Sequence, residues 1–116
     1  MIGVYFDAHV FMNIYIIQNS LVAKLAAIHL KAPRLAVTIG NKIYLYNCSR
    51  EDFLKDTKWV CHELVHTLQY KRMGGFRFIV AYSIEHVTRG YDKNKFEIEA
   101  NSMEDDTAIL EGINFM

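Results

Sequence analysis

The order of apolar and polar positions along the chain predicts a series of short elements. Residues 1–18 are a nearly continuous apolar run interrupted by Asp7, His9 and Asn13. Such a run hides its period, so it reads as either a strand or a helix of the core. Ser20 precedes the strong helix formers LVAKLAAIHL and is placed as the N-cap of a helix that ends before Pro33. Within residues 35–46, AVTI and KIYLY are β-branched and aromatic and flank Gly40-Asn41, the pattern of a hairpin. A long helix follows over about residues 51–72, stopped by Gly74-Gly75. Another covers residues 76–89 and closes at Gly90, and a third starts after the N-cap Asn94 and runs through KFEIEANSMED. The last ten residues carry no clear period. The expected fold class is α+β, a small hairpin or sheet packed with three or four helices.

Size and charge narrow the picture. A chain of 116 residues suits one domain spanning 1–116 with one core, and no repeat, low-complexity tract or linker divides it. Lys plus Arg and Asp plus Glu balance at 13 each, so no overall field favours nucleic acid or an anionic membrane. The N-terminal run lacks a basic leader and a small-residue cleavage site, and it falls short of the ~20 apolar residues of a membrane span. A cytoplasmic protein with no membrane span is expected. Cys48 and Cys61 form no CxxC pair and no disulfide framework, although spacing leaves a bridge between them open.

The chemistry concentrates in WVCHELVHTLQY, residues 59–70, which contains His62-Glu63-x-x-His66. A helix turns ~100° per residue, so two imidazoles four positions apart project from one face about one turn from each other. That spacing lets two ring nitrogens reach one Zn²⁺ at ~2.0–2.1 Å. Glu63 is offset by ~100° from the first histidine, beside the metal but outside its ligand positions, where a carboxylate can move a proton. Phe53, Val60, Leu64 and Leu68 make an apolar stripe at helical spacing, with Trp59, His62, His66 and Gln69 on the other side.

A zinc site of this kind needs a third protein ligand. Glu85, His86, Glu97 and Glu99 lie downstream. Phe96, Ala100 and Met103 form the buried stripe of the last helix, and Glu97 and Glu99 flank it on either side, so periodicity alone does not choose between them. Asn101, four residues after Glu97, favours Glu97, because its amide oxygen can accept a hydrogen bond from a ligand imidazole.

These residues resemble a gluzincin, the zincin class of metallopeptidases whose third zinc ligand is a Glu on a separate helix. The chain is most similar to the minimal single-domain minigluzincins and to small bacterial metallopeptidases with HELxHxxQ, a Gly-rich helix start, GY and FExEA. Here those elements are residues 62–69, Gly74-Gly75-Phe76, Gly90-Tyr91 and residues 96–100, within a region of about 35 to 101. The family pattern places the ligand Glu three residues before the Ala, which maps to Glu97. Several gluzincins carry Asp where this chain has Asn101.

The resemblance implies a zincin-like fold, Zn²⁺ as cofactor and hydrolysis of peptide bonds in a peptide or protein substrate. It gives His62, His66 and Glu97 as metal ligands and Glu63 as general base. Tyr91 and His86 are candidate donors to the oxyanion. A substrate strand is expected beside residues 43–46 if that strand is the sheet edge facing the cleft. A zinc-binding or interaction domain of the same fold without catalysis is the competing expectation. His9 and His29 read as local structural or surface residues. Glu104-Asp105-Asp106 lacks the spacing of a calcium loop.

Overall fold

The computed structural model describes residues 11–116. Strand β1 (Met12–Ile17) follows the apolar pattern as a strand, with Ile14 and Ile16 buried on one face. The rest of the expectation for residues 1–18, with Asp7 and His9, lies outside the described residues. Helix α1 (Leu21–Leu30) begins where Ser20 accepts a hydrogen bond from the Ala23 amide. It ends at Lys31 in the left-handed conformation, φ 56°, and its own carbonyls are closed by the Lys31 amide. Strands β2 (Leu35–Ile39) and β3 (Lys42–Tyr46) form the hairpin, with Thr38 opposite Ile43 and Gly40 at φ 62° in the turn.

The expected long helix is two helices. Helix α2 (Arg50–Lys55) and helix α3 (Thr57–Met73) meet at Asp56, whose φ and ψ of −91° and 84° leave the helical region. Side-chain chemistry makes the break. The Asp56 carboxylate accepts from the Trp59 amide at 3.2 Å and so caps α3, while the Asp56 amide closes α2 on the Phe53 carbonyl. The helical period of residues 51–72 continues across the junction, so an apolar pattern alone could not find it. Helix α4 (Gly75–Arg89) follows a turn at Gly74, φ 86°, and ends at Gly90. Helix α5 (Lys95–Ser102) starts from the Asn94 cap and is shorter than expected, because residues 103–105 leave the helix as a turn. A short 3-10 turn (Thr107–Leu110) and strand β4 (Ile113–Phe115) occupy the unpatterned C-terminus.

The strands form one mixed sheet in the order β2-β3-β1-β4. β1 runs parallel to both β3 and β4, and β2 runs antiparallel to β3. The α+β expectation therefore holds, with five helices and four strands among the described residues. One sheet face supplies Ile14, Ile16, Ile43 and Leu45 to the core. Phe53, Cys61, Leu64 and Val65 from α2 and α3, Ala100 from α5, and Met103 and Ile109 after it complete that core. Both cysteines are free, Cys61 buried and Cys48 half-buried. No helix among the described residues is long and apolar enough to cross a membrane.

Helix α3 is the element on which the others converge. It packs against β2, α2, α4, α5 and the 3-10 turn, and every residue from Val60 to Gln69 is buried. The sequence pattern implied a core face and a polar face. Both are covered, so the polar row His62, Glu63, His66 and Gln69 lies inside the protein.

Asp56→Ala should lower the unfolding free energy by about 1 kcal/mol, the usual loss for a side-chain N-cap. Urea unfolding measures it. An unchanged midpoint would mean that packing, not the cap, ends α2.

Candidate metal centre

Helix α3 brings His62 and His66 onto one face, and α5 brings a carboxylate to meet them. Glu97 Oε1 lies 2.9 Å from His62 Nε2 and 3.3 Å from His66 Nε2. One ligand atom from each of the three residues falls within 4.8 Å of the others, and all three residues are buried. Donors around a tetrahedral ion at ~2.0–2.1 Å sit roughly 3.3 Å apart. The Glu97 oxygen is already close to that spacing from both nitrogens. The group could hold a metal ion.

The far sides of the rings support the same arrangement. His66 Nδ1 is 2.8 Å from Gln69 Oε1, and His62 Nδ1 is 3.3 Å from Glu104 Oε2. The Gln69 amide is oriented by its other end: Nε2 donates to the Phe96 carbonyl at 3.1 Å and to Glu99 Oε1 at 2.7 Å. Its oxygen must therefore accept from His66 Nδ1–H. Glu104, a carboxylate, likewise accepts from His62 Nδ1–H. When both rings are neutral, each Nε2 keeps its lone pair toward Glu97. Metal-binding histidines are commonly fixed by such an outer hydrogen bond.

Asn101 was expected in that outer role. Its side chain is exposed, and Glu104 and Gln69 stand where it was expected. In the sequence Glu104 reads only as part of an acidic run on the expected helix; its contact with His62 comes from the turn after α5, whose direction helical spacing does not predict. The alternative acids are engaged elsewhere. Glu99 meets Gln69 and Arg72, and Glu85 accepts from the Lys95 amide at 2.9 Å and faces Arg89.

Glu63 is buried beside the histidines without joining the ligand group. Thr38 of β2 donates to its Oε1 at 2.7 Å, a contact that sequence spacing could not reveal. Tyr82 of α4, also missed from sequence, donates to Glu97 Oε2. Tyr91 lines the same cleft, and burial together with the Glu97 and Glu63 charges raises its hydroxyl well above the usual phenol range. His86 lines the cleft too, with Nδ1 buried and unpartnered and its ring centroid 6.2 Å from that of His29. The cleft holds about 450 Å³ and lies between β2 on one side and α4 on the other, with α1 at its rim.

The electrostatics separate the two carboxylates. Burial alone would raise Glu97, but hydrogen bonds from both imidazoles and from Tyr82 outweigh it and hold it far below the usual carboxylate range. Burial dominates at Glu63 and raises it. Burial would also lower the histidines. The Glu97 hydrogen bond reverses that, raising His62 and lifting His66 to about 9. Glu97 is thus held ionised between two imidazoles whose affinity for a proton it raises.

No family model matches the chain, and no curated protein or solved structure matches it significantly. The site's own geometry is thus the ground for a functional reading.

A divalent ion must displace the imidazole protons. With His66 near 9, binding at pH 7 should release at least about one proton per ion. Calorimetric titration in buffers of different ionisation enthalpy reads that number, and zero release would contradict the ligand set. The metal-free fold should also respond to pH. The stability supplied by His66 is fully present below its ordinary value of 6.5 and is lost as pH rises through about 9. Denaturation of chelated protein should therefore become easier from pH 6.5 to 9. Gln69→Leu and Glu104→Gln should each weaken metal binding roughly 10–100-fold, measured by competition with a chelating dye.

Proposed function

We propose that the chain is a zinc-dependent peptidase of the zincin type, with the gluzincin ligand set His62, His66 and Glu97. One observation carries the reading. Two imidazole Nε2 atoms and the Glu97 carboxylate converge while Glu63, next in sequence to His62, stands beside them held by Thr38 and opens on a cleft. A structural metal site would need no spare buried carboxylate beside it.

The donor set of two imidazoles and one carboxylate suits Zn²⁺ in a site with a fourth position for water. When bound, the ion supplies Lewis acidity that polarises a carbonyl and lowers the pKa of water toward ~7. The remaining steps belong to the chain. Glu63, kept basic by its raised affinity for a proton, accepts a proton from the attacking water and delivers it to the leaving amine. The Thr38 hydroxyl leaves one Glu63 oxygen occupied and directs the other. Tyr82 orients Glu97 through the oxygen that does not face the histidines. Tyr91, on the cleft wall, is the better candidate to donate to the developing oxyanion, since it responds to both Glu63 and Glu97. His86 lies in the same cleft and contacts His29 instead.

The substrate strand belongs beside β2, not beside residues 43–46. β3 is interior, bonded to β2 on one side and β1 on the other, so it has no free edge. Among the described residues β2 is the sheet edge at the cleft, and its Leu35, Val37, Thr38 and Ile39 line it. Its outer amide and carbonyl groups can take an extended peptide as an added strand.

Glu63→Gln should keep about one zinc per chain and lose at least roughly 10²-fold in turnover of an unstructured protein substrate. Elemental analysis and a quenched-fluorescence peptide assay read the two quantities. An active Glu63→Gln enzyme would sink the mechanism, and inactive wild type with full zinc would leave a zinc-binding domain without catalysis.

A further inference from the structure

Helix α1 is patterned the wrong way round for a helix lying on a sheet. It buries only Ala23 and Ala27, and it exposes Leu21, Val22, Leu25 and Ile28, with Leu25 58% and Ile28 64% exposed. On a helical wheel those large residues cluster opposite the two alanines, so the face directed away from the protein is its most apolar one. Helix α4 repeats the feature. It buries Phe78 and exposes Phe76, Val80, Ile84 and Val87, with Phe76 81% and Val87 82% exposed. Its wheel places Ile79, Ser83 and Val87, which line the cleft, beside Phe76 and Val80 on the outer face. The two helices share the cleft mouth, where His29 and His86 approach. The exposed apolar surface therefore continues from both helices to the rim.

The exposed charges beside this surface on α1 and at the start of α4 are basic, and the one acid of α4, Glu85, is paired with Arg89. From residue 11 to residue 50 the chain carries Lys24, Lys31, Arg34, Lys42 and Arg50 and no Asp or Glu. From residue 64 to residue 84 it carries Lys71, Arg72 and Arg77, again with no acid. Lys24 on α1, Lys31 at its C-terminal cap and Arg77 on α4 are exposed. On a chain whose formal charge is zero, that bias is local. Apolar side chains facing outward with lysines and arginines beside them match the make-up of helices that lie in the headgroup region of an anionic bilayer, where long basic side chains reach the phosphates.

We propose that the outer faces of α1 and α4 dock this protein on an anionic membrane surface, with the cleft mouth between them directed at the bilayer. A second copy of the chain would bring like charges together across the same apolar face, which favours the lipid. The docking requires neither metal nor turnover, so it stands or falls separately from the peptidase reading.

The test is flotation of the full chain with vesicles of phosphatidylcholine alone or mixed with phosphatidylglycerol. The protein should float with the anionic vesicles, stay behind with the neutral ones, and lose binding as salt rises. Lys24→Glu/Lys31→Glu, both at exposed positions, should weaken binding roughly tenfold or more. Leu25→Ser/Ile28→Ser should do the same with an unchanged circular dichroism spectrum. Phe76→Trp should shift its emission to the blue on anionic vesicles. Absence of flotation with anionic vesicles would overturn the proposal. So would equal binding to both vesicle types, or a concentration-dependent dimer that Leu25→Ser/Ile28→Ser dissolves in a chain that ignores lipid.

Discussion

The constraint on which the structure turns is the burial of one carboxylate between two imidazoles. Glu97 is almost fully inside the protein, as are His62 and His66. Ionisable groups are costly in such a place unless each finds a partner. The partners come from five elements: both histidines from α3, Tyr82 from α4, Glu97 from α5, Glu104 from the turn after it, and Thr38 from β2 through Glu63. Helix α3 can be buried on all sides only because those elements satisfy its polar row. The aromatic packing of Phe78 against Tyr70, Tyr82 and Phe96 then holds α4 and α5 at the distance the contacts require.

This arrangement divides labour between carboxylates that the sequence sets only 34 positions apart. Glu97 is surrounded by donors and stays ionised. At Glu63 the Thr38 hydroxyl and the neighbouring histidines favour the charged form, but burial outweighs them and its affinity for protons rises. Two acids pushed in opposite directions by their surroundings are what a site needs if one is to hold a cation and the other to carry protons. The ranking follows from local contacts, since both residues are buried to a similar degree.

How much of this was legible in the chain depends on the range of the interaction. Ser20, Gly40-Asn41, Gly90 and Asn94 marked element ends because capping and turn chemistry act within three or four residues. The His62–His66 spacing exposed two of the three members of the group for the same reason. Asp56 was also a local signal, but the helical period on both sides concealed it. Glu97 could not be separated from Glu99 by period alone, because choosing between them requires knowing which side of α5 faces α3. Thr38, Tyr82 and Glu104 meet the site across 25, 15 and 42 residues respectively. Nothing in local spacing encodes such contacts. Whether residues 43–46 form a sheet edge could not be read from the chain, because a hairpin predicts its own pairing and says nothing of β1, which pairs with β3 in parallel on its other side.

The metal-free state also bears on how a metal would be received. In small zinc domains the ligands assemble only when the ion arrives, so binding and folding are one event. Here the two rings are fixed on their far sides by Gln69 and Glu104, and both face Glu97 on the near side. The core of Ile14, Ile43, Leu45, Phe53 and Leu64 makes no use of those groups. An ion entering this site replaces protons in a framework already held by packing. The entropy of ordering the ligands is charged to the fold rather than to the binding step. The same packing sets Glu63 beside the histidines, and the proton carrier proposed above would be effective only if its position did not have to be found anew in each turnover.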